Sequence, residues 1–126
     1  SMSDSDTATT YVIAPEDIVW HKTDLGQEFW LSDKVVDTDY TSVFNAQVTK
    51  FGPGGGSPPH QHTYNHAFYF LSGVGSVKIA EQKWHVKPGT FVKVPAYKQH
   101  SVTNTGTADL IFLVIYDPPL NDDGTP

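Results

Sequence analysis

The triplet His60-Gln61-His62 places two imidazoles on one face of whatever strand carries it, because strand side chains alternate with a period of two. His66 follows just past a short turn at Thr63-Tyr64-Asn65, and His100 comes 34 residues after it. For all four to meet at one point, the sheet must close on itself and bring a distant strand back across the first. Imidazole suits zinc, copper, iron and nickel. His60, His62, His66 and His100 are therefore read as ligands of one divalent metal.

The rest of the chain has the punctuation such a sheet needs. Strand-like runs are read over Gln27 to Ser32, Thr41 to Phe51, His66 to Leu71, Val74 to Ala80, Lys83 to Val86, Thr90 to Val94, His100 to Thr103 and Leu110 to Tyr116. Short strands separated by Gly/Pro turns indicate an all-β sandwich or barrel. Glu81-Gln82 marks a hairpin turn. Phe51 to Pro59 is expected to be a loop that delivers the chain to His60, since its glycines and prolines do not sustain a ladder. Residues 1–10 are expected to be a polar N-terminal tail, residues 11–116 the single folded domain, and residues 117–126 a C-terminal tail. No segment has a helical period, and there is no internal repeat.

Composition narrows the function. At 126 residues the chain suits one domain and buries about two-thirds of its unfolded surface. It has no cysteine, which excludes disulfides, thiolate ligands and iron–sulfur clusters. A net charge of −6 with eight scattered basic residues argues against nucleic acid. No run approaches the ~20 apolar residues of a membrane span, and no secretory signal is visible. The expected setting is the cytoplasm. Ser1 before Met2 looks like a cloning remnant.

Gly54 is followed by five residues, then His60, Gln61, His62, three residues, His66, six residues and Gly73. Gly89 is followed by five residues, then Pro95, Ala96, Tyr97, two residues, His100, three residues and Asn104. In order and spacing this resembles the two motifs of the cupin superfamily, over residues 40 to 116. Two positions depart: the first motif usually has glutamate where His66 stands, and the second usually has glycine where Tyr97 stands. The turn at Tyr97 is therefore expected to differ, since glycine tolerates positive φ.

The resemblance implies a small single-domain cupin, a double-stranded β-helix or jelly-roll barrel, with a four-histidine centre for iron, manganese, nickel, copper or zinc. Four neutral donors leave the ion's charge uncompensated, which favours anionic ligands such as enolates and catecholates. Six-coordinate metals would keep two positions for a bidentate substrate, or for substrate plus dioxygen. Phe68 and Phe70 share parity with His66, and Val102 shares it with His100. Gln47 and Phe112 occupy places that face the metal in similar small cupins. Gln47, Phe68, Val102 and Phe112 are thus the expected pocket residues, with Tyr64 and Gln61 near enough to the ligands to donate a hydrogen bond. His21 and His85 read as surface residues, and Trp20, Trp30 and Trp84 as core or interface. A glutamate at position 66, at a strand start beside a turn, is expected to cost the barrel little.

Similar small cupins include oxidative-cleavage enzymes, so the expected function is a metal-dependent oxygenase acting on a small enolisable or phenolic, anionic substrate. A non-redox lyase, isomerase or cyclase would use the metal only to stabilise an enolate. A binding module would hold metal or a small ligand without turnover. No residue separates the first two. Unpaired sheet edges and the habit of the family imply a homodimer.

Overall fold

The computed structural model describes residues 11–126, so the expected N-terminal tail lies outside the described residues. Among the described residues a 3-10 turn at Pro15–Asp17 precedes nine strands: β1 (Trp20–Thr23), β2 (Gln27–Val36), β3 (Asn45–His60), β4 (Asn65–Ser72), β5 (Gly75–Ile79), β6 (Gln82–Val86), β7 (Phe91–Val94), β8 (His100–Asn104) and β9 (Leu110–Asp117). They form one antiparallel sheet in the order β6-β5-β8-β3-β9-β4-β7, with β2 also on β3 and β1 on β2. The sheet curls so that one face encloses the interior of a jelly-roll barrel. Among the described residues no helix is long and apolar enough to cross a membrane.

Alternation decides which side chains enter that interior. On β9, Leu110, Phe112, Val114 and Tyr116 are buried, while the residues between them are half-exposed. Phe68 and Phe70 on β4 and Val102 on β8 join them in one core cluster with Phe51, Val77, Val86 and Val94. Each fully buried ring or branched side chain contributes about 2 kcal/mol of transfer free energy. Phe112 meets Phe51 and Phe68 edge-on, at 5.4 Å and 5.2 Å, and Phe70 at a tilt, at 4.8 Å. His66 and His100 have the parity of this core, so they enter the same interior.

β3 organises the barrel. Its first half pairs with β9 on one side and β2 on the other; its second half, from Gly56, pairs with β8. The loop expected between Phe51 and Pro59 is instead strand, and the glycines explain why. Gln27 pairs with Gly56 and Phe29 with Phe51, so Glu28 alone faces the four residues between, a bulge larger than the usual two against one. A Cβ on Gly55 would stand 2.5 Å from the Gln27 carbonyl oxygen and 2.8 Å from Glu28 Cβ, and Gly54 takes φ +77°. Glycine lets the strand kink there without ending. Pro58 and Pro59 fall where the β3–β8 register slips, between Ser57 and His60, so the missing N–H groups break no regular ladder.

The tryptophans are not in the core. Trp84 is 47% exposed. Trp20 and Trp30 are half-buried beside Lys50, whose Nζ lies 4.4 Å and 5.2 Å from their rings. After β9 the chain turns back over the barrel: Asn45 Nδ2 donates to the Leu120 carbonyl, and Leu120 N–H donates to Asn45 Oδ1.

A candidate metal centre at one end of an apolar cavity

His60 and His100 are direct partners in the β3–β8 ladder, and their ring centroids are 4.3 Å apart. His62 lies two residues beyond His60, past the strand end, and its ring meets both, at 4.7 Å and 5.4 Å. Ligand atoms of His60, His62 and His100 all fall within 4.8 Å of one another, the one such group found among the described residues. His66 comes from β4, which pairs with β7 and β9 and not with β3 or β8. It therefore reaches the trio from across the barrel, with Nε2 2.9 Å from His100 Nε2.

Backbone carbonyls orient two of these rings. His60 Nδ1 is 2.6 Å from the Pro58 carbonyl and His100 Nδ1 is 2.8 Å from the Lys98 carbonyl. Each Nδ1 must carry the proton and donate, which leaves the Nε2 lone pair facing inward, the tautomer a metal needs. His66 Nε2–H then donates to His100 Nε2 in the metal-free protein.

The turns carrying the ligands are clipped together. Tyr97 N–H donates to the His62 carbonyl at 2.7 Å, and Ala96 N–H to Asn65 Oδ1 at 2.8 Å. The turn at Tyr97, expected to differ from one built for glycine, does not: the backbone keeps a positive φ. Tyr97 itself takes φ +70°, at the cost its Cβ incurs against the backbone, and its ring is 66% exposed.

Burial and mutual repulsion favour the neutral form of His62, His66 and His100. The His62 pKa is lowered to about 4, first by burial and then by His60 and His100; that of His66 is lowered to about 3 by burial and by His100, His62 and His60. His100 is also lowered, by burial, against the opposing pull of the Lys98 carbonyl. Neutral nitrogen donors without a carboxylate suit a divalent transition metal. Below pH 6.5 the unfolded chain takes up protons at these positions that the folded, metal-free protein refuses, so stability is lost as pH falls from 6.5 toward 4. Above pH 6.5 both states are neutral and the effect vanishes. Thermal melts of metal-free protein should show the midpoint dropping between pH 7 and pH 5, less steeply in His62→Gln. An identical slope in that variant would refute the assignment.

The histidines stand at one end of a cavity of about 390 Å³. Gln47, Phe68, Val102 and Phe112 all line it, as do Tyr64, Thr49, Phe51, Leu31 and Tyr116. Gln61 is exposed, whereas Tyr64 stacks on His62 at 4.5 Å with only 14° between the planes. Burial raises the pKa of both Tyr64 and Tyr116. Tyr116 Oη donates to Gln47 Oε1 at 2.8 Å, and Gln47 Nε2 donates to the Ser32 carbonyl at 2.7 Å. Sequence reasoning missed Thr49 and Tyr116, though parity with Gln47 and Phe112 pointed to them. It also missed Leu120, for which no periodic signal exists.

Comparison with known proteins agrees with this fold. Residues 47–116 match the family model described as the cupin domain, Cupin_2. Over 78 residues the chain is 35% identical to auxin-binding protein 1 of Arabidopsis thaliana, a match covering 55% of this chain and 39% of that protein. The chain thus spans about two-fifths of the length of that relative. Among solved structures it is similar to the polyketide cyclase RemF from Streptomyces resistomycificus, with a TM-score of 0.76, 22% identity, and coverage of 86% of this chain and 79% of that one. KdgF from Halomonas sp. gives a TM-score of 0.77 at 21% identity, covering 91% and 98%. A predicted oxalate decarboxylase from Thermotoga maritima gives 0.76 at 21%, covering 85% and 98%. At these identities the structural likeness speaks for the fold alone.

Proposed function

Because this chain belongs to the cupin domain family, we propose that it is a metal-dependent enzyme in which His66 completes a four-histidine centre, and that it oxygenates a small enolisable or phenolic substrate. The observation that carries this reading is an all-imidazole donor set opening into an apolar cavity. The 2.9 Å between His66 Nε2 and His100 Nε2 supports the fourth ligand. Two adjacent nitrogens at right angles on one ion, each bonded at ~2.1 Å, would stand about 3 Å apart.

The bound ion would supply Lewis acidity and, if it were iron, manganese or copper, redox exchange with dioxygen. The protein's own share is different. His60 and His100 are held in one tautomer by Pro58 and Lys98, and His62 is braced by the Tyr64 ring. Phe68, Val102 and Phe112 give the space beside them apolar walls. With no carboxylate among the donors, the full charge of the ion is left to attract an anionic oxygen.

A non-redox lyase, isomerase or cyclase is the second reading. It is favoured by the description of two similar folds as a polyketide cyclase and a predicted oxalate decarboxylase. Oxygen-electrode traces on iron-, manganese-, copper- and zinc-loaded protein, with a β-diketone and a catechol as probes, separate the two. Uptake with a redox-active ion and none with zinc is the expected result. Equal anaerobic turnover by the zinc protein would overturn the oxygenase in favour of the second reading.

A further inference from the structure

We infer that the cavity has a second recognition point, the Thr49 hydroxyl on the wall of β3, and that it takes a ring-bearing molecule with one metal-binding end and an uncharged hydroxyl or carbonyl at the other. The inference rests on the metal-centre reading above and extends it from the reacting end of the ligand to its body.

Thr49 is 3% exposed and lines the cavity, yet its hydroxyl makes no hydrogen bond among the described residues. Buried hydroxyls are nearly always paired, and leaving one unpaired costs about 1–3 kcal/mol. Its neighbours on the same face of β3 differ. Phe51 has no polar atom, and Gln47 is engaged at both ends of its amide by Tyr116 and the Ser32 carbonyl. Thr49 is therefore the buried polar group on this wall whose capacity is unspent. Its strand partner is Phe112, and Phe112 is linked through Phe68 to His66 by ring separations of 5.2 Å and 4.8 Å. An aromatic floor thus runs from the histidines toward Thr49.

Charge restricts the far end. No lysine, aspartate or glutamate is among the lining residues, and the chain contains no arginine. A carboxylate or phosphate held beside Thr49, itself 3% exposed, would be buried without a counter-charge, which is costly. A neutral hydroxyl would instead satisfy Thr49 and itself together. A ligand reduced to its chelating end alone would leave the rings and Thr49 to water.

The test uses zinc-loaded protein, which keeps binding separate from redox turnover, and hydroxamic acids, which chelate metals through a common head. Acetohydroxamate has no tail; benzohydroxamate and biphenyl-4-hydroxamate add one and two rings, each prepared with a terminal hydrogen, hydroxyl or carboxylate. We expect ring-bearing probes to bind more tightly than acetohydroxamate. For the better-fitting ring length the hydroxyl should add about fivefold, as for one net hydrogen bond, and the carboxylate should weaken binding. In Thr49→Val the hydroxyl gain should vanish while acetohydroxamate affinity and zinc content stay unchanged. The melting temperature of this variant should hold or rise, since an unpaired buried hydroxyl is removed. A hydroxyl gain that persists in Thr49→Val, a carboxylate tail that binds as well as the hydroxyl, or a lowered melting temperature would each overturn the inference. Stoichiometric zinc with no binding of any hydroxamate would instead overturn the open metal centre beneath it.

Discussion

His100→Ala should purify with little bound metal and lose activity in step, while His21→Ala should match the unsubstituted protein in both. His100 is 3% exposed, paired with His60 across the β3–β8 ladder, and in contact with all three of the other motif histidines. His21 lies on β1, exposed, with Asp33 Oδ1 2.8 Å from its Nε2. Losing a mere outer-shell partner of a metal ligand costs ~10–100-fold in affinity, so removing an oriented ligand should cost at least that much. Elemental analysis of the two dialysed variants gives the answer. Equal metal content would remove His100 from the centre.

Restoring a carboxylate at position 66 should split the protein's behaviour between its metal-free and metal-loaded forms. The sequence placed His66 at a strand start beside a turn and suggested that glutamate would be tolerated. Burial limits that to the metal-loaded form: His66 is 7% exposed, enclosed by Phe68 at 4.8 Å and by Tyr116, whose ring lies at 26° to it and 6.4 Å away. In metal-free His66→Glu an unpaired carboxylate in this site should cost about 3 kcal/mol or be protonated instead. A divalent ion would supply the missing counter-charge and recover most of the loss. The expected result is a low melting temperature without metal, a near-normal one with it, and altered turnover through the ion's reduced effective charge. A variant whose melting temperature ignores metal would show that position 66 faces no ion.

Much of this could be read from residue types because the two signals involved are short-range. Parity placed His66, Phe68 and Phe70 on one face of β4, and placed His100 and Val102 on one face of β8. Glycine and proline marked most strand ends to within a few residues. The same logic failed at Phe51 to Pro59, where glycine acts as a kink inside a strand, because whether it ends or bends a ladder depends on Glu28 of the neighbouring strand. It failed at Tyr97, where hydrogen bonds from Tyr97 and Ala96 to the His62 turn hold a backbone conformation that tyrosine does not favour. Whether four histidines or three form one group also lay beyond spacing. His66 arrives from the opposite wall, and its approach is set by the curl of the sheet.

The kink in β3 separates two jobs on one strand. Gln47, Thr49 and Phe51 form a wall of the cavity before the bulge, and His60 stands after it, in register with a different neighbour. Gly54, Gly55 and Gly56 between them carry no side chain, so the wall and the ligand are joined there by backbone alone. Thr49, whose hydroxyl holds no partner among the described residues, is therefore the wall position most open to exchange, whereas Phe51 is bound into the core and Gln47 into the Tyr116 contact. The strand behaves as a tool with a fixed blade and an interchangeable handle, so selectivity in this barrel is open to redesign from the β3 wall while the donor set stays untouched.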